Sequence, residues 1–333
     1  MNSGRVREVN RATAEGGHGT GRAHGKAILL GEHTVVHGTP AVAFPLPTLS
    51  ARAVARRTRE SVVQVDSVVG EWFRFTAGNV VTPENALSGA QVAVEEALRR
   101  WGPASETVEV VLDCEIPPAR GLGSSAACAA AAVRAVAELY GLTVGSDALY
   151  ELVQCGEQFA HGRASGVDAS AAVAAGPIWF QAGAARGLSV GLDATLVIAD
   201  TGTAGATQHA VAAVRRKLEA DRRAAQRLLE RAGNLIDSAT ADLAAGHAEP
   251  LGTTLLEFQE LLAELGVSTP EIDTLVAAAS DAGAYGAKLT GGGLGGCVLA
   301  LTETGDSAAT VRAALHRAGA ARTWIVPTRG AQP

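Results

Sequence analysis

Glu115-Ile116-Pro117-Pro118-Ala119-Arg120-Gly121-Leu122-Gly123-Ser124-Ser125-Ala126-Ala127, continued by an alanine-rich run to Tyr140, is the stretch on which the reading of this chain turns. Val108 to Leu112 alternates like a strand, Pro117-Pro118 stops it, and the glycines open a turn into a strong helix former from Ser125 to Leu139. A helix start leaves its first N–H groups without intrahelical partners and carries partial positive charge, so an anion is stabilised there. Gly121 and Gly123 let an anion approach the main chain, and Ser124 and Ser125 offer hydroxyls to a phosphate or its metal. The same residues also suit a plain loop with a serine N-cap, so context must choose.

Two better-known phosphate loops fit poorly. Gly121-x-Gly123-x-x-Ala126 has the dinucleotide spacing, but the two prolines break the tight strand-to-helix turn, and Gly141 stands where an acidic strand end is wanted. Gly25-Lys26 is followed by Ala27, which removes the Walker A pattern.

A length of 333 residues suits two domains, and 47% hydrophobic with 19% charged residues describes an ordinary globular protein. The net charge of −6, with no dense basic cluster, argues against a nucleic-acid partner. Cys114, Cys128, Cys155 and Cys297 are scattered without C-x-x-C spacing, which predicts buried free thiols in a reducing cytosol rather than zinc or a disulfide framework. No apolar run reaches the roughly 18 residues of a membrane span. Residues 1–20 are polar and Gly- and Arg-containing without an apolar core, predicting a disordered tail on a cytoplasmic protein with no membrane partner.

Gly21 to Leu30 reads as the first strand, Gly31 to Pro40 as a polar loop and Ala41 to Leu46 as a second strand. Residues 50–80 alternate well enough for two or three strands, with Val62, Val63, Val65, Val68, Val69, Trp72, Phe73 and Phe75 as their β-favouring members. Helices are predicted over Ala86 to Trp101, Ser146 to Ala160 with Ser146 as cap, Thr207 to Ala232 and Leu251 to Leu265. His161 to Ser170 reads as a charged, glycine-punctuated loop. Ala182 to Gly187 is small and flexible in composition, and the domain boundary is placed there. Gly291-Gly292-Gly293-Leu294-Gly295-Gly296 precedes the strand Cys297 to Leu301; it either closes over a ligand with free N–H groups or marks close chain packing.

Three segments in this order resemble the GHMP kinase superfamily: Gly25-Lys26-Ala27-Ile28-Leu29-Leu30-Gly31-Glu32-His33, Pro118 to Ala127, and Lys288-Leu289-Thr290 running through the glycines to Cys297. The match spans almost the whole chain. The first segment and His161-Gly162-x-x-Ser165-Gly166-Val167-Asp168 are most similar to the mevalonate kinases of bacteria with a mevalonate pathway. The resemblance implies an α+β protein: an N-terminal domain over 21–185 like domain 2 of ribosomal protein S5, a ferredoxin-like C-terminal domain over 186–330, and an active site between them. It also implies transfer of the γ-phosphoryl of ATP to the 5-hydroxyl of (R)-mevalonate, with Mg²⁺, and a homodimer as the family's habit.

Residue roles follow from the same resemblance. Arg120, Gly121, Leu122, Gly123, Ser124, Ser125 and Ala126 would hold the phosphates, and Ser125 with Glu157 would ligate Mg²⁺. Asp168 matches the catalytic aspartate that accepts the proton of the hydroxyl, and Lys26 the lysine paired with it. Glu32, His33 and Thr207 fall where the substrate is held, and Gly291, Gly292 and Gly293 beside the nucleotide. Arg163-Ala164 replaces a common Asn-Pro, and Thr203-Ala204-Gly205 lacks a usual proline; both bear on substrate positioning. Taken without the resemblance, Asp168 is equally a turn aspartate, Lys26 a surface cation on a strand and Glu157 a solvated helix carboxylate. A sister kinase acting on phosphomevalonate, galactose or homoserine, a silent ligand sensor of the same fold, and a Rossmann oxidoreductase are the rival readings.

Overall fold

Every second side chain of Thr107–Cys114 is buried, so this segment forms a strand with one face in a core. The computed structural model describes residues 17–58, 72–77, 89–103, 106–162 and 164–329. In chain order the first elements are β1 (His18–Leu30), β2 (Ala41–Thr58), β3 (Trp72–Ala77), α1 (Gly89–Trp101), β4 (Thr107–Cys114), α2 (Ser124–Leu139), α3 (Ser146–His161) and α4 (Val167–Val173). Then come β5 (Ile178–Gln181), β6 (Ala184–Gly187), β7 (Thr195–Asp200), α5 (Thr207–Ala220), α6 (Arg222–Ala245) and α7 (Ala248–Leu265). The last are α8 (Pro270–Asp281), β8 (Gly286–Thr290), β9 (Cys297–Thr302), α9 (Asp306–Arg317) and β10 (Arg322–Pro327).

The chain divides into two compact units interleaved in sequence. One comprises Met1–Ala23, Ala51–Glu115 and Ser125–Gly162; the other comprises His24–Ser50, Ile116–Ser124 and Arg163–Pro333. In the first, β4 pairs antiparallel with β3 and with the second half of β2, in a register that sets Ala51 opposite Cys114. The alanines of α2 are all buried, and methyl-sized side chains let neighbours come close to its axis. Helices α1 and α3 cross where Gly89 meets Gly156, backbone against backbone.

In the second unit the sheet order is β10-β7-β9-β8, antiparallel throughout. All side chains of β7, β8 and β9 are buried, as in a strand covered on both faces. The first half of β2 pairs with β5 in this unit. Ile28, Ala41, Ala43, Val167, Ala171, Ile178 and Phe180 form one apolar cluster, which seats α4 on these strands. Residues 291–296 are the turn of the β8–β9 hairpin.

Several local expectations are corrected. The helix predicted over Thr207 to Ala232 breaks at Asp221, whose carboxylate accepts from the N–H groups of Arg223 and Ala224 and so starts a second helix, α6. Gly145, not Ser146, is the N-cap of α3. Ala184–Gly187 is a strand paired with β5 rather than a flexible link, and the loop predicted over His161 to Ser170 gives way to α4 at Val167. Strand β1 begins at His18, inside the predicted tail; residues 1–16 of that tail, Val62, Val63, Val65, Val68, Val69 and Arg163 lie outside the described residues.

Candidate active site

Lys26 lies near the middle of β1 with only 2% of its surface exposed. A lysine so placed needs an anion, and Asp168 supplies it: Nζ stands 2.8 Å from Oδ1. The aspartate sits in the first turn of α4 and keeps 40% of its side chain exposed, so the carboxylate is both held and reachable. Lys26 Nζ also donates to the Gly121 carbonyl at 3.0 Å, and its backbone N–H to the Leu122 carbonyl at 2.9 Å.

These bonds orient the loop before α2. The carbonyls of Ala119, Gly121 and Leu122 are taken by the Gly205 N–H, Lys26 Nζ and the Lys26 N–H. A trans peptide points its N–H away from its carbonyl, so the amides of Arg120, Leu122 and Gly123 face away from those partners. Ala119, Gly121 and Gly123 all have positive φ. The side chains of Leu122 and Ala126 are buried, so these two positions offer a ligand only main chain. The Arg120 guanidinium is turned elsewhere: Nε lies 2.8 Å from Asp200 Oδ1, and an Nη donates to the Gly202 carbonyl at 3.1 Å. Ser124 and Ser125 are half-buried.

The glycine loop touches the same segment. A Cβ on Gly121 would come within 2.9 Å of the Thr290 carbonyl oxygen, and one on Gly291 within 2.6 Å of Gly121 Cα, while both residues have positive φ. The Leu294 and Gly296 N–H groups are bonded to the carbonyls of Val267 and Thr203. Close packing, the second of the two readings of this loop, therefore accounts for much of its glycine content. Gly292 lies beside Thr207, the exposed first residue of α5, and its carbonyl bonds to His33 Nε2 at 2.9 Å.

Glu32 and His33 occupy a sharp turn in which Gly31 and His33 both have positive φ. His33 is buried, and burial holds its imidazole below its ordinary pKa. Glu32 forms an ion pair with Lys288 of β8, and both side chains are essentially inaccessible. Burial pushes the Glu32 carboxyl up and the Lys288 ammonium down, and each charge pulls its partner back. Sequence reasoning gives Lys288 no role beyond its motif and gives Asp200 none. A lysine inside the otherwise apolar Ala287–Thr290 strand was the available signal for the first.

Ser125 and Glu157 belong to the other unit. Glu157 is 3% exposed on α3, not solvated. It is near enough to Cys128, three residues beyond Ser125 on α2, to raise the thiol, after a hydrogen bond with Cys114 and burial. None of the four cysteines is in a disulfide; Cys114, Cys128 and Cys297 are buried and Cys155 is half-buried. Among the described residues no group of three or more His, Cys, Asp or Glu could hold a metal, and no helix is long and apolar enough to cross a membrane.

The sequence model described as the GHMP kinases N terminal domain matches residues 87–176, and that of the GHMP kinases C terminal matches 239–321. The mevalonate kinase of Aeropyrum pernix is 32% identical over 313 residues, covering 93% of this chain and 96% of the relative. The chain belongs to the GHMP kinase family. Among solved GHMP kinase structures, the mevalonate kinase of methicillin-resistant Staphylococcus aureus is 28% identical with a TM-score of 0.68, covering 94% of this chain and 99% of that one. The phosphomevalonate kinase of Streptococcus pneumoniae in complex with phosphomevalonate and AMPPNP reaches a TM-score of 0.76 at 18% identity, covering 92% and 99%. That likeness is of fold alone. The GHMP kinase fold therefore does not choose the phosphoryl acceptor; the residues around it must.

Proposed function

We propose that this chain is a mevalonate kinase, moving the γ-phosphoryl of ATP to the 5-hydroxyl of (R)-mevalonate to give 5-phosphomevalonate and ADP. The observation that carries the reading is near-full-length identity of 31–32% to several mevalonate kinases. The site geometry supports it with a carboxylate that is exposed, fixed by a buried lysine and joined through that lysine to the loop before α2.

Phosphoryl transfer to an alcohol requires the triphosphate held, its charge balanced, and the hydroxyl aligned and relieved of its proton. In this reading the main-chain amides of residues 120–126 cradle the phosphates, with the hydroxyls of Ser124 and Ser125 beside them. Asp168 accepts the proton of the 5-hydroxyl. Lys26 fixes the direction of that carboxylate and places positive charge where the alkoxide develops. The turn that carries Glu32 and His33, together with Thr207, holds the acceptor, and Gly291, Gly292 and Gly293 stand beside the nucleotide. Arg120 acts through its backbone, its side chain serving as a brace to Asp200.

Mg²⁺ belongs to the reading, and the donor set suits it. Glu157 presents a buried carboxylate facing α2 near the turn that carries Ser125, and a carboxylate with a hydroxyl are hard oxygen donors of the kind this ion accepts alongside phosphate and water. The ion supplies charge neutralisation on the phosphates. The two family matches support a division into an ATP and substrate domain over 21–185 and a C-terminal domain over 186–330. The reading extends to a cytoplasmic enzyme and a homodimer, the latter checked by sedimentation of the purified protein.

ADP release by the purified protein with ATP and Mg²⁺ tests the assignment against (R)-mevalonate, phosphomevalonate, galactose and homoserine. Turnover with mevalonate alone is expected. Preference for another acceptor discards the substrate, and none with any of the four discards the enzyme.

A further inference from the structure

Lys288 is the most deeply buried cation described in this chain, with no exposed surface. Its ammonium contacts the Glu32 carboxylate and the Leu289 carbonyl, and it lies 5.8 Å from the centre of the Phe258 ring. Taking two charges out of water costs several kcal/mol per ion, and an apolar pair of similar volume is often as stable. Stability alone therefore gives no reason for the pair. Position does.

Glu32 directly precedes His33, which holds φ of +62 with its ring bonded to the Gly292 carbonyl. The Glu32 carbonyl accepts from the Thr34 N–H at 2.7 Å and the Gly31 carbonyl from the Val35 N–H at 3.1 Å. The turn over 31–35 is thus internally bonded, and the Glu32 side chain fastens it to β8. Only one carboxylate oxygen does so: Glu32 Oε2 is buried and has no hydrogen-bond partner among the described residues. A carboxylate kept charged and half-satisfied in a closed space costs free energy. The pairing with Lys288 is the main interaction that opposes that cost, ahead of the Glu32 main chain and the Lys26 charge.

Lys288 also leads into the glycine loop, but that loop has its own anchors. Thr290 Oγ1 bonds to both the N–H and the carbonyl of Ile28, and Gly291 rests on Gly121. Neither contact needs the Lys288 side chain, whereas the 31–35 turn is the side chain's own ionic partner.

We propose that Lys288 is a positioning residue for the phosphoryl acceptor: it acts through Glu32, holding the Gly31–His33 turn in the conformation that receives the acceptor, and it leaves ATP binding largely untouched. This rests on the mevalonate kinase reading, which places Glu32 and His33 at the acceptor.

The test measures kcat and KM for ATP and for the acceptor that the wild type turns over, in Lys288→Met, Glu32→Gln and the double variant, with folding followed by near-UV circular dichroism. Each single change is expected to raise the acceptor KM about tenfold or more while the ATP KM stays within about threefold. The double variant should be no worse than the worse single one, because Lys288 works through Glu32. Where Lys288→Met does not fold, Lys288→Gln, which keeps a donor for Glu32 Oε1, carries the same comparison. Effects that add in the double variant, equal rises in both KM values, or an unchanged acceptor KM in a folded Lys288 variant overturn the proposal. A wild type that prefers another acceptor overturns only the substrate, and the comparison is made with that acceptor; a wild type inactive with all four overturns both.

Discussion

Two lysine–carboxylate pairs in the same unit are built from similar parts and end in opposite conditions. Lys26 and Asp168 meet at 2.8 Å with 3% and 40% of their side chains exposed; Lys288 and Glu32 meet with 0% and 1%. The first pair buries only its cation, so the carboxylate can meet a substrate and exchange a proton. The second buries both ends, and its anion is out of reach of solvent. Charge in a protein site thus divides between work at the reacting atoms and work on the shape of the site, and exposure of the carboxylate tells the two apart.

The contrast breaks most plainly at Asp168. Asp168→Asn should lower kcat by about 10²–10⁴-fold, the usual worth of a positioned general base, and should also lower the melting temperature, because the buried Lys26 ammonium loses its counter-charge. Steady-state turnover and a thermal melt check both halves; near-normal turnover in the folded variant sinks the base assignment. Lys288→Met should cost stability still more, about 3–5 kcal/mol, by stranding a carboxylate that solvent does not reach, and Glu32→Gln in the same chain should recover much of it. Chemical denaturation of the three proteins would contradict the comparison if the double variant were less stable than Lys288→Met.

How much of this arrangement was legible in the chain depends on distance along it. The strand, the glycine turn and α2 were readable because proline, glycine and alanine act within a few residues of themselves. The family resemblance then brought together Lys26 and Asp168, which no periodicity connects. The buried pair escaped because its partners are 256 positions apart and neither lies in a pattern that marks burial of charge. The break at Asp221 escaped because a capping aspartate inside a long helical pattern looks like any exposed helix residue until its side chain is seen to bond Arg223 and Ala224. Pro270 after Thr269 is the opposite case: the start signal of α8 stood in the sequence unused.

The smaller effects sharpen the second pair's surroundings. Gly291→Ala forces a side chain into a left-handed conformation against Gly121 and should cost about 1–3 kcal/mol, read as a lower denaturation midpoint. His33 has a folded pKa below the ordinary value, so the unfolded chain binds the extra proton first, and the stability this histidine contributes is full above about pH 6.5 and is lost as pH falls below it. His33→Asn, which tolerates positive φ, removes that titration; the fall in melting temperature on acidification should shrink by a few degrees relative to wild type. An identical fall in the two proteins would show that His33 does not titrate in this range.

The bond between Ile28 and Thr290 spans 262 positions of sequence, and at about 5–20 residues per second a ribosome needs roughly 13–50 s to make that interval. Throughout that time the apolar Ala27–Leu30 segment waits without β8, and Glu32 without its counter-ion. The second unit is thus completed last, around its oldest strand, and a nascent chain stalled before residue 286 holds a glycine turn before α2 that it cannot yet brace.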